Sequence, residues 1–364
     1  MSRSRQARSA EESVDVREED AFDVAVLAAW LREHADGVPD GEPEVRQFPG
    51  GASNLTYLLR YPSRDLILRR PPAGVKAKSA HDMHREFTIQ SRLGPVFDRV
   101  PEMVAFCDDQ DVIGSDFYVM ARLEGTILRR DPPEDLTLTP QDARALCLRF
   151  LDLLVELHSV DPEAAGLQDL GRGRGYVARQ VRGWSDRFRA ARTDNVGDYE
   201  RVMGWLDAQQ PAEDVATCVI HNDFRLDNVV LAPDDPLRIV GVLDWEMATL
   251  GDPLMDLSGA LAYWIQADDD DDFRAARRQP SHLPGMLTRQ EMVEHYTARM
   301  GLSVTPEQWR FYEVFGLFRL GVIAQQIYYR YHHGQTTNEA YARFLPMTQY
   351  LEQRCNRLID EATA

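Results

Sequence analysis

Residues 219–228 read VIHNDFRLDN, and residues 241–246 read GVLDWE. Each stretch begins with a short apolar run that predicts a buried strand. Asp223 and Asn228 follow the first run, and Asp244 follows the second. An isolated Asp or Asn is commonly no more than a turn former. Three such residues placed after apolar strands instead indicate groups that a rigid scaffold presents for chemistry.

These residue types suit phosphoryl transfer from a nucleotide. That reaction needs a carboxylate to orient the attacking hydroxyl and oxygen ligands that hold Mg²⁺ on the phosphates. Asp223 is the candidate for the first task, and Asn228 and Asp244 offer the hard oxygen ligands that Mg²⁺ takes. The spacing from Asp223 to Asn228 matches the catalytic loop of protein kinases. We expect His221 to orient the loop, and we assign Asp227 no chemistry.

Composition and charge limit the class of partner. The chain has 364 residues, 44% hydrophobic and 27% charged, which is long enough for two lobes with a large core. The net charge of −18 argues against nucleic acid, because phosphate contacts need Lys and Arg, and it fits a cationic substrate only weakly. Residues 268–272 are all Asp. We expect them to form a solvated loop, with a site for a polyamine-like substrate as the alternative.

Cysteine spacing and hydropathy predict a reduced cytoplasmic protein. The four cysteines lie far apart and form no Cys-x-x-Cys pair, so no structural zinc is expected. No apolar run is long enough for a transmembrane helix, and residues 1–20 lack the apolar core of a signal peptide. We therefore expect no membrane partner, a disordered tail over residues 1–20, and either a monomer or a homodimer.

Hydrophobic periodicity predicts a sheet-rich segment followed by a helical one. Helices are expected over residues 22–34 and 80–93. The strands predicted around them span residues 45–48, 55–61, 66–69, 100–106 and 112–123. Thr139 and Pro140 mark the first helix of the second segment, as a capping hydroxyl followed by Pro. The expected domains are a nucleotide-binding lobe over residues 21–122 and a helical lobe over 123–364 that holds the catalytic loop and substrate site.

Two features of the first lobe are candidate phosphate contacts. Residues 48–54 read FPGGASN, where small residues let the backbone approach phosphate oxygens and Ser53 can donate to them. A Gly-Gly hairpin turn without a ligand is the alternative explanation. The third strand ends at Arg69, where a kinase-like site requires a cation that pairs with a helix Glu. Glu86 is the expected partner.

Arg69 has two competing explanations. It is an ordinary solvated charge at a strand end, or it holds nucleotide phosphates with a geometry different from that of a Lys point charge. Lys76 and Lys78 follow closely and are alternative phosphate anchors.

Together these motifs resemble the aminoglycoside phosphotransferase family of kinase-like enzymes. The resemblance rests on residues 221–228, 243–246 and 251–257 and covers roughly residues 22–360. One branch of the family is related to the kinase-like domain fused to some acyl-CoA dehydrogenases. This chain resembles that branch in the motif FRLDN at residues 224–228, in RRPP at residues 69–72 and in the segment from Phe318 to Arg330. Two departures stand out: Asn222 replaces the usual Gly, and Arg69 replaces the usual Lys.

The resemblance implies an α+β, two-lobed protein-kinase-like fold, with a small antiparallel-sheet lobe and a large, mainly helical lobe. It implies ATP or GTP as donor, Mg²⁺ as cofactor, Asp223 as the catalytic residue, and Asn228 and Asp244 as metal ligands. The nucleotide-binding residues that it implies are Gly51, Ser53, Asn54, Arg69, Glu86, Met120 and Arg122, with residues 120–123 as the hinge that binds the base.

The expected function is therefore phosphorylation of a hydroxyl on a small molecule. A hydroxylated acyl-CoA or related metabolite is one candidate acceptor, favoured by the FRLDN motif. An aminoglycoside or similar antibiotic is the other, slightly favoured by the net charge. A catalytically silent nucleotide-binding module is the alternative from another class, and its expected mark is loss of Asp223, Asn228 or Asp244.

Two further expectations concern the helical lobe. Substrate contacts are expected around Trp264, Tyr312, Arg319 and Tyr328, although aromatic residues on helices more often belong to the core. Asp252, followed by Pro253, is expected to cap a helix and is also a candidate to bond the backbone of the catalytic loop.

Overall fold

The computed structural model describes residues 13–49, 54–72 and 82–363. Tertiary contacts divide the chain into two units. The first contains the described residues up to Ile127 together with Ala165–Leu167 and Asn228–Met247, and the second contains Leu128–Ala164, Gln168–Asp227 and the described residues from Ala248 onward. These units are groups of mutual contacts, and the lobe boundary predicted at residue 122 stays a prediction.

The helices and strands follow the chain in this order. Up to residue 127 they are α1 (Val24–His34), β1 (Glu44–Gln47), β2 (Leu55–Arg60), β3 (Asp65–Arg70), α2 (Met83–Leu93), β4 (Met103–Cys107), α3 (Gln110–Ile113), β5 (Phe117–Ala121) and β6 (Thr126–Ile127). Beyond it they are α4 (Pro140–His158), α5 (Tyr176–Ala191), α6 (Glu200–Gln209), β7 (Cys218–Ile220), β8 (Val229–Leu231), β9 (Ile239–Val242), β10 (Thr249–Gly251), α7 (Pro253–Ala262), α8 (Asp271–Ala275), α9 (Arg289–Met300), α10 (Pro306–His332) and α11 (Phe344–Thr363).

An antiparallel sheet forms the base of the first unit. Its strands lie in the order β1-β2-β3-β5-β4, and a second sheet has the order β6-β8-β9. Because side chains alternate between the faces of a strand, both faces of the larger sheet are apolar. Leu59 on one face packs with Leu27 of α1, and Ile67 on the other packs with Met83 of α2. The sheet thus fixes the positions of β3 and α2, which carry Arg69 and Glu86.

The second unit is built mainly from helices. Every residue of α7 is buried, and the 27-residue α10 packs against it. Strand β7 pairs with β10 and presents the loop that starts at His221. Helix α4 begins as the sequence predicts, because Thr139 accepts the N–H of Asp142 in a capping box and Pro140 follows. Helix α7 begins at Pro253 with Asp252 as its N-cap.

The predicted strand over residues 112–123 is wrong in its first part. Residues 110–113 form the short helix α3, which Asp109 caps and which ends at Gly114 with φ 84°. Strand β5 starts only at Phe117. A short helix of four residues shows no helical period, and the apolar Val112 and Ile113 therefore mimicked the start of a strand.

The predicted solvated loop at residues 268–272 is wrong in part. Asp269 is buried and lies 2.6 Å from Arg289 and 2.9 Å from Arg354. Asp270 is exposed and caps α8 by accepting the N–H of Phe273, and Asp271 and Asp272 form the start of that helix. Only the buried carboxylate of Asp269 departs from the solvated prediction, and it is paired because a buried charge requires a partner.

Two observations concern the cysteines and the membrane. All four cysteines are free and buried. Among the residues that the structure describes, no helix is both long and apolar enough to cross a membrane.

Candidate active site

Arg69 lies between two carboxylates at the end of β3. Its Nη1 atom is 3.5 Å from Oε2 of Glu86 on α2, and its Nη2 atom is 3.2 Å from Oδ1 of Asp244. Burial alone would lower the pKa of Arg69, but Tyr118, Glu86 and Asp244 outweigh it and raise that pKa. The guanidinium therefore stays charged. The predicted pairing with Glu86 is present, and Arg69 is not a solvated strand-end charge.

Glu86 is held from three sides. Asn54 Nδ2 donates to its Oε1 atom at 2.9 Å, and the Tyr118 hydroxyl donates to its Oε2 atom at 2.8 Å. The residue is 1% exposed, and burial raises the pKa of its carboxyl group. Arg69 and the bonds from Tyr118 and Asn54 act in the opposite direction, since each favours the ionised form.

Asn54 connects this ion pair to a residue that the sequence did not single out. Its Nδ2 atom is also 3.4 Å from Oε2 of Glu246, and Arg85 donates to the Glu246 carbonyl at 3.1 Å. Glu246 stands in the quoted GVLDWE stretch, but a contact across nearly two hundred residues leaves no local signal. The predicted phosphate contacts Gly51 and Ser53 lie outside the described residues, as do Lys76 and Lys78.

The two predicted metal ligands flank a pair of strands. Asn228 directly precedes β8 and Asp244 follows β9, and the two strands pair with Val229 opposite Val242. The Leu243 N–H donates to the Asn228 carbonyl at 2.8 Å, which ties the two ends together. Asp244 has φ 69°, a left-handed conformation that a residue other than Gly seldom adopts. Such strain is concentrated at functional sites.

The polar side chains of Asn228, Asp244 and Arg69 in the first unit fit a nucleotide bound with Mg²⁺. Mg²⁺ is commonly bound by one or two protein oxygen ligands together with phosphate oxygens. Asn228 and Asp244 offer an amide oxygen and a carboxylate whose side chain is 36% exposed. Arg69 keeps one buried nitrogen, Nε, without a hydrogen-bond partner among the described residues. A buried, unsatisfied donor is costly, and an incoming phosphate oxygen suits it.

The predicted hinge residues lie at the end of β5. Met120 is 6% exposed and packs into the core of the sheet. Arg122 forms an ion pair with Asp65, and its N–H donates to the Asp65 carbonyl at 3.4 Å. Arg122 thus ties β5 to the start of β3, and its role toward a nucleotide stays a prediction.

Asp223 belongs to the second unit, where Arg225 holds it. Nε of Arg225 lies 3.1 Å from Oδ1 of Asp223 and 3.3 Å from Oδ1 of Asp227, and its guanidinium stacks 4.7 Å from the ring centre of Tyr263. The N–H of Asp223 donates to Nδ1 of the fully buried His221 at 3.2 Å. His221 therefore orients the loop as expected, and Arg225 is a contact that the sequence did not predict.

Asp256 anchors the backbone of this loop. Its carboxylate accepts the N–H groups of His221 and Asn222, each at 2.7 Å, and contacts Nε2 of His158 at 3.0 Å. Burial alone would raise the pKa of Asp256, but His158 and the backbone N–H of His221 hold it below its usual value. The expectation that Asp252 bonds the loop is wrong. Asp252 accepts the N–H of Val215 and caps its own helix.

Asn222 explains one departure from the family pattern. Its φ is 65°, in the left-handed region where Gly is unstrained and Asn is the best tolerated of the other residues. Its side chain also accepts the Tyr176 hydroxyl at 3.1 Å, and its carbonyl accepts Nη2 of Arg319 at 2.8 Å. The left-handed backbone conformation therefore restricts which residues can occupy position 222.

This geometry predicts a difference between two substitutions at one position. Both substitutions remove the acceptor of the Tyr176 hydroxyl. Asn222→Gly is expected to lower the free energy of unfolding by about 1 kcal/mol for that lost bond alone, because Gly adopts a positive φ freely. Asn222→Val is expected to lower it by about 2 kcal/mol more, because a β-branched residue is strained there. Urea unfolding of the two variants measures the difference. Equal stability of both variants contradicts the assigned conformation.

The aromatic residues expected to contact substrate lie in the core. Trp264 is 1% exposed, and its Nε1 atom donates to the Leu287 carbonyl at 2.9 Å. Tyr312 and Tyr328 are also buried, so the core alternative is the correct one for all three. Arg319 is buried under the loop through its bond to the Asn222 carbonyl.

A comparison with protein families adds an independent finding. A model described as the phosphotransferase enzyme family matches residues 44–291, about two thirds of the chain. The chain belongs to this family. Its resemblance to aminoglycoside phosphotransferases, made from the sequence motifs, is thereby confirmed.

Two relatives of this family member are similar over most of the chain. Acyl-CoA dehydrogenase family member 10 of Mus musculus is 36% identical over 299 residues, which cover 82% of this chain and 27% of that protein. Acyl-CoA dehydrogenase family member 11 of Rattus norvegicus is 31% identical over 339 residues, which cover 90% and 42%. The chain thus spans less than half the length of these relatives.

A solved structure supports the fold of this family member. The crystal structure of a putative aminoglycoside phosphotransferase from Ralstonia eutropha JMP134 has a TM-score of 0.77 and 29% identity, and the match covers 93% of this chain and 99% of that one. The predicted α+β, kinase-like fold is therefore confirmed.

Proposed function

We propose that this family member transfers the terminal phosphoryl group of ATP or GTP to a hydroxyl of a small molecule. The observation that carries the proposal is the chain of contacts from Glu86 through Arg69 to Asp244, with Asn228 tied to Leu243. Phosphoryl transfer depends on positioning and charge stabilisation far more than on covalent chemistry. A fixed cation beside two oxygen ligands meets that need.

The residues of the first unit would hold the donor. Arg69 binds phosphate oxygens through its unsatisfied Nε atom, while Glu86 keeps the guanidinium in place. Asn228 and Asp244 hold Mg²⁺, which supplies positive charge on the phosphates when it is bound. Gly51, Ser53 and Asn54 cover the phosphates, and the segment around Met120 and Arg122 binds the base.

Asp223 would orient the acceptor hydroxyl and accept its proton. Arg225 contacts the same carboxylate and therefore restricts its rotation, so that one oxygen is held in a fixed direction. His221 and Asp256 fix the backbone from which Asp223 projects. A catalytically silent module is expected to have lost Asp223, Asn228 or Asp244, and this chain has all three.

Two classes of acceptor alcohol have support from the relatives of this chain. A hydroxylated acyl-CoA or related metabolite is supported by the match to the two acyl-CoA dehydrogenase family members, which covers most of this chain. An aminoglycoside is supported by the printed name of the Ralstonia protein. The higher identity to the mouse relative favours the first.

Acceptor-dependent nucleotide consumption tests the function. The purified chain is incubated with ATP or GTP and Mg²⁺, together with a hydroxyacyl-CoA, the matched acyl-CoA without the hydroxyl, or kanamycin. We expect consumption with the hydroxyacyl-CoA and not with the matched acyl-CoA, whose acyl chain lacks the hydroxyl, and more with the hydroxyacyl-CoA than with kanamycin. Equal consumption with the two acyl-CoAs contradicts transfer to the hydroxyl of the acyl chain.

Arg69 supplies the sharpest test of the donor site. Arg69→Met is expected to lower kcat/KM for the nucleotide about tenfold or more, because a charge-assisted contact to phosphate is lost. Arg60→Met is the matched control, since Arg60 lies on the neighbouring strand and pairs with Glu44 at the surface. Unchanged kinetics in Arg69→Met moves the anchoring role to Lys76 or Lys78.

A further inference from the structure

A buried glutamine fixes the segment around residue 278 beside the catalytic loop. Gln279 is 1% exposed. Its Oε1 atom accepts the N–H of Leu226 at 2.7 Å, and its Nε2 atom donates to the Tyr263 carbonyl at 3.1 Å. Because Leu226 lies between Arg225 and Asp227, this bond holds residue 278 close to both.

A second set of bonds brings residue 129 to the same place. Arg277 donates to the Arg130 carbonyl and, at 2.8 Å, to Oδ1 of Asp131. The segment after Leu128 is therefore tied to the segment that Gln279 attaches to the loop. Arg129 and Arg278 thus stand on two segments that flank the same loop.

Arg129 and Arg278 differ from the arginines beside them. Both are exposed, and neither forms an ion pair within the described part of the chain. Arg277 pairs with Asp131, and Arg274 pairs with Asp271. The guanidinium groups of Arg129 and Arg278 are therefore available to a ligand beside the catalytic loop.

Their charges act on the loop. Arg225, Arg129 and Arg278 all lie close enough to Asp227 for their charges to act on its carboxylate. Burial raises the pKa of the Tyr263 hydroxyl, and Arg278 acts against it. Three arginines thus act around the two loop carboxylates Asp223 and Asp227, although the whole chain carries −18. Arg225 contacts one oxygen of each of these carboxylates.

We propose that Arg129 and Arg278 form a subsite for an anionic group, phosphate or carboxylate, on the acceptor alcohol. The proposal rests on the proposed function for the identity of the acceptor. A guanidinium matches the planar oxygens of a carboxylate or the oxygens of a phosphate with two parallel hydrogen bonds. The same charges repel an aminoglycoside, so the subsite selects against a polycation as well as for an anion.

A matched pair of probes tests the subsite. 4′-Phosphopantetheine and pantetheine differ by one phosphate group, and neither contains a nucleotide base. Calorimetric titration of the full chain is expected to show tighter binding of the phosphorylated probe and no binding of kanamycin. Arg129→Ala and Arg278→Ala are each expected to weaken the phosphorylated probe about tenfold, while pantetheine is unaffected. Arg274→Ala is the matched control and is expected to bind both probes as the wild type does.

Three results overturn the subsite: equal binding of the two probes, equal weakening in Arg274→Ala, or kanamycin binding that survives physiological salt. Arg69→Met distinguishes the subsite from the nucleotide site. If this variant no longer binds 4′-phosphopantetheine, the phosphate of the probe was bound at the nucleotide site and not at the subsite. Nucleotide consumption is measured separately. If the phosphorylated probe binds more tightly but no acceptor is phosphorylated, the subsite stands and the proposed function fails. If an uncharged or cationic acceptor is phosphorylated, the proposed function stands and the subsite fails.

Discussion

Asp223→Asn is expected to reduce phosphorylation of the acceptor about 10³-fold, because a positioned general base contributes on that order to a proton transfer. The substitution keeps the size of the side chain and leaves one oxygen for Arg225, so the loop should keep its conformation. Nucleotide affinity should change little, since the predicted donor contacts belong to the other unit. Steady-state kinetics and a nucleotide titration of the same preparation measure both quantities.

Asp234→Asn is the matched control for this substitution. Asp234 is exposed, pairs with Arg238 at the surface and lies eleven positions further along the chain. We expect its turnover to equal that of the wild type. If Asp223→Asn keeps turnover near that of the control, Asp223 does not act as the base. If nucleotide affinity falls along with turnover, the substitution has disturbed the fold and the base assignment loses its support.

Asp256→Ala has the largest expected effect on stability. It leaves two backbone N–H groups and His158 without their acceptor inside the core, and breaking a buried charged contact costs about 3–5 kcal/mol. Asp256→Asn retains one acceptor oxygen and is expected to fall between the wild type and Asp256→Ala. Urea unfolding measures all three. Equal stability of the wild type and Asp256→Ala contradicts the anchoring role.

The pH dependence of unfolding gives a second measurement on the same residue. The folded pKa of Asp256 lies below its ordinary value of 3.8, so the native state binds this proton less readily than the unfolded chain. The stabilisation is therefore fully present above that ordinary value and is lost as pH falls through the lower, folded value. Asp256→Ala should lack this part of the acid dependence. If the free energy of unfolding of Asp256→Ala falls at low pH as much as that of the wild type, other carboxylates produce the acid dependence.

The sequence predicted the parts of the site that repeat a local pattern. Asp223, Asn228 and Asp244 were found because each follows a short apolar run at a recognisable spacing. The pairing of Arg69 with Glu86 was predicted from the requirement for a cation on the third strand, and the structure contains it. The roles of these residues toward a nucleotide stay predictions.

Most of the contacts that the sequence missed join distant segments. Asp256 lies in the first turn of α7, and it holds the backbone of the catalytic loop. Glu246 and Gln279 likewise gain their roles from partners that no local pattern identifies. Strands β8 and β10 are three residues long, too short for a period of two to be recognised. Strands β7 and β9, which precede Asp223 and Asp244, lie in different sheets.

The net charge of the whole chain is a poor guide to the acceptor for a physical reason. The value of −18 sums all the charges of the chain, while recognition depends on the few charges within a Debye length of the reacting group. Arg225 contacts Asp223, and Arg129 and Arg278 act on the carboxylate of Asp227 in the same loop. The total charge therefore does not describe the surroundings of the catalytic loop.

Binding of a nucleotide as its magnesium complex is the central claim, and calorimetric titration of ATP and GTP with and without Mg²⁺ tests it most directly. The wild type is expected to bind one of them at least about tenfold more tightly with Mg²⁺. Asp244→Asn, which suits the left-handed backbone at that position, is expected to lose this gain because it lacks the carboxylate. Nucleotide binding that is equally tight with and without Mg²⁺, or no binding of either nucleotide, would contradict the account.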